Sequence, residues 1–267
     1  MARRQRRTAL SAVRSVLGAL VAVGLVTAPT ATASPQSFCT ELGGQQSGAY
    51  CHTSVESQRK ALRDIKVAIP DLIDDPVAGP VLRDYLGTLV GNWRRFGQNM
   101  VADSFGEANF EVVGRPGTVS VVFRETYHAD GPDFNNAYRT FTFGGGRQLQ
   151  LADLVKPGTD PLSAIEPLAR PFVVRALDAA PPAHQPGSYP FIAERWTPDK
   201  MYSGGYKAWA LTPDELILYM PDYPVGHDTP VDFTTGVMQW SMDGGTVQAH
   251  IPLAVLSPIL RPEYGGT

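Results

Sequence analysis

EANFEVVGRPGTVSVVFRETYH, residues Glu107–His128, decides the fold. On both sides of the Gly114–Gly117 turn, apolar residues recur at every second position. Val119, Val121, Phe123 and Tyr127 fall on one face, with Ser120, Arg124 and Thr126 between them. A period of two with β-branched and aromatic residues is the mark of paired strands, and the Arg-Pro-Gly turn makes the pair antiparallel. A third run, NAYRTFTF, extends the set after the longer ADGPDFN connection.

The pattern upstream is different. Val81, Leu82, Tyr85, Leu86, Leu89, Val90, Trp93, Phe96 and Met100 recur in steps of three and four, which predicts a long helix opening at Pro80. Trp93 sits on that stripe and is expected in the core rather than on a ligand platform. Before the helix, Leu62, Ile65, Val67 and Ile69 predict a strand.

Downstream, Arg147–Val155 reads as a short strand and a turn. Leu162, Ile165, Leu168, Phe172, Val173, Ala176 and Leu177 then have helical spacing, with Pro167 and Pro171 inside it. Interior prolines remove a hydrogen bond and clash with the preceding turn, so this helix is expected to kink or to start late. YKAWALTPDELILYMP predicts a hairpin turning at Thr212-Pro213-Asp214. Its second arm, Leu216–Met220, is apolar without interruption and is expected to be covered on both faces. A last strand and a short helix from Pro252 close the chain. Hairpins and helices in mixed order give an α+β class: a mainly antiparallel sheet packed with a long helix and one or two further helices.

Residues 1–33 read as a secretory signal peptide. A basic start at Arg3, Arg4, Arg6 and Arg7 leads into an apolar stretch and the Ala31-Thr32-Ala33 cleavage pattern. Removing 33 of 267 residues leaves 234. The five leader arginines go with them, so 18 basic residues face 26 acidic ones, a net charge of −8. That charge excludes nucleic acid and anionic lipid as natural partners and favours a basic protein. The membrane enters only through the export signal, and a monomer is expected. Residues 34–58 form the cysteine-bearing segment, 59–134 the first part of the α+β domain, and 135–267 its second part. Cys39 and Cys51, the two cysteines of the chain, are expected to form a disulfide closing a loop in an oxidising compartment. They lie too far apart, with His52 alone beside them, to make a zinc site.

No G-x-S-x-G or H-E-x-x-H motif is present. The best triad the chain can assemble is Ser203, beside Gly204-Gly205, with His227 and either Asp228 or Asp222. That combination is the runner-up reading: a serine esterase acting on short acyl esters in the cell envelope. Asp130 and Asp133 are too sparse for a calcium loop. No cofactor, metal or catalytic residue is assigned. Aromatic residues cluster in a proline- and glycine-rich span, Tyr189, Phe191, Trp196, Tyr202, Tyr206 and Trp209, with Tyr223 and Trp240 beyond it. They suit either recognition or plugging of the sheet ends. The stretch Asp222–Asp228 is expected to be an exposed exit loop, so Tyr202, Tyr206, Tyr223, His227 and Asp228 are the candidate binding residues.

SFCTELGGQQSGAYC resembles the opening of mature proteins in the mycobacterial secreted immunogenic protein family. DLVKPGTDPLSAIEPLA, ALTPDELILYMPDYPVGHD and HIPLAVLSPIL resemble the C-terminal domain of that family, which is similar to the lysozyme-binding ectodomain of a bacillar anti-sigma factor. The resemblance implies a secreted, extracellular or cell-wall-associated antigenic or binding protein without a defined enzymatic role. A lysozyme-like basic protein is the partner the resemblance implies, and a cell-wall glycan, whose sugar rings the loop aromatics would suit, is the third reading. This chain departs from the pattern at the loop Pro181–Pro198 and at the insertion DFTTGVMQWSMDGG.

Overall fold

The computed structural model describes residues 34–128, 134–223 and 245–267. His227, Asp228, Trp240, Asp130 and Asp133 lie outside them. A seven-stranded sheet runs in chain order through β1 (Gln45–Ser47), β2 (Tyr50–Glu56), β3 (Leu62–Ala68), β4 (Ser104–Arg115), β5 (Thr118–His128), β6 (Phe134–Gly144) and β7 (Arg147–Leu149). Every neighbouring pair is antiparallel except β3–β4. That parallel step needs a crossover, and α2 (Ala78–Gly97) supplies it. Helix α2 starts two residues before the expected Pro80. The Asp75 carboxylate accepts from the amides of Val77 and Ala78 and caps the turn. These two bonds hold the Asp75 carboxyl below its ordinary range.

The stripe read from the sequence is the buried one. Leu82, Leu86, Leu89 and Trp93 pack against Ile65, Val67, Val121 and Phe123 on one face of the sheet. Each large apolar side chain so buried contributes about 1.5–3 kcal/mol before entropy is counted. The cysteine segment is more ordered than a loop. It contains α1 (Pro35–Glu41), capped by Ser34, and the β1–β2 hairpin. The Cys39–Cys51 disulfide joins α1 to β2 inside the core.

The opposite face of the large sheet carries a second sheet, ordered β10 (Thr246–Pro252), β9 (Glu215–Asp222), β8 (Trp209–Leu211). Strand β9 is covered on both faces, as its unbroken apolar run requires. Ile217 and Tyr219 meet Val122 of the large sheet, while Leu216, Leu218 and Met220 face the second core. Hydroxyls of the large sheet satisfy amides of the edge strand β8: Trp209 N–H donates to Thr140 Oγ1 (2.8 Å) and Leu211 N–H to Ser120 Oγ (3.2 Å).

The second core is closed by α4 (Pro161–Ala179), through Ile165, Ala169, Val173 and Leu177. Helix α4 does not start late. It begins at Pro161, with the Asp160 carboxylate accepting from Ser163 N–H, and runs through both interior prolines. Ser163, Pro167 and Pro171 lie together on its exposed side. There the carbonyls that lose their intrahelical donors meet water, and the helix can curve away from the clash. The short helices α3 (Leu151–Leu154) and α5 (Leu253–Leu256) complete the chain. The architecture is α+β in four layers: α2, large sheet, small sheet, α4. The first core draws its buried residues from Phe38–Phe143 and the second from Leu149–Leu260.

Candidate functional site

The aromatic residues of 189–223 are mostly inside. Phe191, Trp196, Tyr202, Tyr206 and Tyr223 are all buried. Trp196 meets Tyr202 at a tilt (5.4 Å between centroids) and Tyr223 edge-on (6.1 Å), and its indole N–H donates to Pro190 O (3.0 Å). The Tyr223 hydroxyl donates to Pro181 O. Tyr223 is therefore not the start of an exposed exit loop. Its amide donates to Gly245 O (2.9 Å), which holds the chain in the small sheet beyond Met220, and its ring plugs the second core. Burial raises the Tyr206 hydroxyl to about 12, with the Glu166 charge adding to the effect. Tyr189 is the exposed member at 41 %, and the Arg195 guanidinium lies over both Tyr189 and Tyr202.

Ser203 is fully buried. Its Oγ donates to Lys200 O (2.8 Å) and accepts from Gly205 N–H (3.0 Å). The hydroxyl proton is thus directed at a carbonyl within its own turn, not at a base. Gly204 and Gly205, both at positive φ, bend the chain so that Tyr206 reaches the core. Their positions also make the turn tight: a side chain at Gly204 would meet the Pro221 ring at 2.9 Å. Among the described residues no group of three His, Cys, Asp or Glu side chains could hold a metal ion.

Next to this turn lies an open cleft of about 570 Å³. One wall is β6, from Tyr138 to Phe141. The other is the Pro198–Gly205 segment, with Lys200 and the half-exposed Met201, and Lys207 and Tyr219 complete it. Arg139 in this wall is anchored from behind. Its Nε lies 3.5 Å from the Glu125 carboxylate, which is buried and also accepts from the Tyr85 hydroxyl at 3.1 Å. Burial, with the Glu125 charge beside it, drives the Tyr85 hydroxyl far above its ordinary range. Tyr219 donates to Glu111 (3.2 Å), and burial likewise raises its hydroxyl. Three cations and one acid, Asp199, line the cleft, and Asp199 pairs with Lys200 at 2.7 Å.

Of the residues singled out in the sequence, Tyr202, Tyr206 and Tyr223 are brought together, but as core. The cleft residues Tyr138, Arg139, Lys200, Met201 and Lys207 were missed. A signal for them exists: β6 is a long alternating run followed by three glycines and only three paired residues of β7. Most of its length therefore outlasts its partner.

Residues 152–254 match the family model DUF3298, described as a protein of unknown function. No curated protein matches the chain in sequence. Two solved structures match over most of their length. A DUF3298 family protein from Pseudomonas aeruginosa PAO1 has 14 % identity and a TM-score of 0.47, over 82 % of this chain and 95 % of the other. A DUF3298 family member from Bacteroides fragilis NCTC 9343 has 12 % identity and a TM-score of 0.48, over 81 % of this chain and 94 % of the other.

Proposed function

We propose that this is an exported, non-catalytic binding protein that captures its partner in the cleft between β6 and the Pro198–Gly205 segment. The carrying observation is the lining of that cleft. It offers a strand edge, an exposed methionine, aromatic rings and fixed cations, but no paired nucleophile and base. The serine nearest to it has its hydroxyl committed to Lys200 O and Gly205 N–H. Attack on an ester would require that buried turn to open first.

Export is supported by the leader pattern of residues 1–33 and by the buried Cys39–Cys51 bond, which an oxidising compartment would preserve. No helix among the described residues is long and apolar enough to cross a membrane. The resemblance to secreted immunogenic proteins supports the same extracellular or wall-associated placement. The acidic net charge of the exported chain draws basic surfaces, such as that of a lysozyme-like protein, toward the molecule as a whole. The cleft itself is locally cationic.

The test is hydrolysis of short p-nitrophenyl esters by the protein starting at Ser34, beside its Ser203→Ala variant. The expected rates are indistinguishable from each other and from buffer. A rate that depends on Ser203 would replace this reading with the esterase one.

A further inference from the structure

We propose that the β6 edge is a strand-addition site for an extended acidic segment of a partner protein, which deepens the binding reading above and rests on it. The geometry begins with parity. β6 and β7 are joined by Gly145-Gly146, both at positive φ, a two-residue turn that makes Gly144 and Arg147 a hydrogen-bonded pair. The backbone groups of Gly144 therefore point away from β5. With a period of two, those of Thr142, Thr140 and Tyr138 point the same way. Thr142 is opposite Leu149 of β7, where β7 ends. Beyond it, among the described residues, no strand pairs with β6 on that side.

The cleft confirms which part of the strand is presented. Tyr138, Arg139, Thr140 and Phe141 all line it. Consecutive strand residues alternate between faces, so four in a row line one cavity only where the strand shows its edge. Main-chain groups of Tyr138 and Thr140 thus stand in a cleft whose opposite wall is Met201 and the Gly204-Gly205 turn, with Tyr138 O accepting one long bond, from Arg139 Nη1 (3.5 Å), that an incoming amide would replace. An added strand gains affinity from main-chain hydrogen bonds and specificity from its alternate side chains. The specificity here is electrostatic. Arg139 is paired with Glu125 and Lys200 with Asp199, which leaves Lys207 at the rim with no acidic partner among the described residues, so the cleft keeps a positive charge that matches acidic side chains on the incoming strand and repels basic ones.

The probe is the acetylated, amidated peptide VEVEVT, titrated into the protein starting at Ser34 and followed by fluorescence anisotropy and amide hydrogen exchange. Binding should slow exchange at Tyr138 and Thr140. Two versions of the peptide, N-methylated on alternate amides, should behave oppositely: one set of amides faces β6 and its methylation abolishes binding, while the other faces away and is tolerated. VKVKVT should bind more weakly than VEVEVT. Lys200→Glu/Lys207→Glu, checked for an unchanged urea midpoint, should lower the VEVEVT affinity about tenfold and reverse that preference. The proposal is overturned if VEVEVT does not bind, if both methylated versions bind equally, or if the amides of Tyr138 and Thr140 are already protected in the free protein. None of these results would restore a Ser203-dependent ester hydrolysis, so the non-catalytic reading stands or falls on its own assay.

Discussion

Gly106→Ala is expected to change sign as a stability effect according to what stands at position 93. Gly106 lies in β4 beneath the indole of Trp93. A Cβ added there would come within 2.7 Å of Trp93 Cε3 and 2.8 Å of Cδ2, closer than carbon atoms approach without displacement. Trp93 is 1 % exposed and cannot retreat into solvent. Overpacking of this kind costs about 1–3 kcal/mol. Trp93→Ala alone should cost about 3–5 kcal/mol through lost burial and a cavity. In that cavity the Gly106→Ala methyl has room, and the restricted unfolded chain then favours alanine by about 0.4–1 kcal/mol. The double mutant should therefore be no less stable than Trp93→Ala, with a coupling energy of about 1–3 kcal/mol. Trp93→Phe tests the same contact from the other side. The indole Nε1 is buried and has no hydrogen-bond partner among the described residues. An unpaired buried donor costs about 1–3 kcal/mol. Phenylalanine removes that donor while losing three ring atoms, worth about 2 kcal/mol. The two effects nearly offset each other, so Trp93→Phe should lie within about 1 kcal/mol of wild type. Urea titrations followed by circular dichroism give all four free energies. An equal Gly106→Ala penalty with and without the indole would refute the packing argument, as would a Trp93→Phe loss close to that of Trp93→Ala.

Ser203→Ala should destabilise by about 1–3 kcal/mol in the same titration, because it leaves the Gly205 amide and Lys200 carbonyl of a buried turn short of a partner; a neutral result would show that the hydroxyl does not hold the turn. Opening the Cys39–Cys51 bond by Cys39→Ala/Cys51→Ala should cost about 3 kcal/mol for a loop of this length, measured as a lower urea midpoint, and an unchanged midpoint would remove the bond from the stability of the fold. Asp153 accepts two hydrogen bonds from Arg147 (2.8 and 2.6 Å), and these, with the Gln150 amide, hold its carboxyl below the ordinary range. A depressed carboxyl stabilises the fold above its unfolded value, about 3.9, and loses that contribution as pH falls through the folded value. Asp153→Asn should therefore flatten the acid limb of stability against pH, and identical limbs for the two proteins would contradict the assignment.

Much of the fold was legible because burial imposes period. The alternation of Val119, Val121 and Phe123 places them on α2, and the unbroken Leu216–Met220 run does mark a strand between two layers. Direction is another matter. Alternation is the same for either neighbour, so the parallel β3–β4 step could be seen only once α2 was known to return the chain to the same sheet. The prolines of α4 misled about its start because a sequence shows the lost donors but not the solvent that meets the orphaned carbonyls. Ser163, Pro167 and Pro171 are spaced by four and share one exposed side, a regularity that reads, in retrospect, as a helix built to tolerate them.

The aromatic span shows the limit for a functional site. Composition placed Tyr202, Tyr206 and Tyr223 in loops, and loops usually lie at the surface. Here the small sheet has one face on the large sheet, so its other face must be closed by α4 and whatever the connections supply. The helix covers only part of it, and Phe191, Trp196, Tyr202, Tyr206 and Tyr223 fill the rest. What a loop spends inward it cannot present outward. The recognition we propose then falls to the neighbouring surface, where β6 runs past its short partner β7 and, among the described residues, no strand pairs with its edge beside Lys200, Met201 and Lys207. In this architecture the proposed binding surface follows from a mismatch of strand lengths, which residue types alone do not announce.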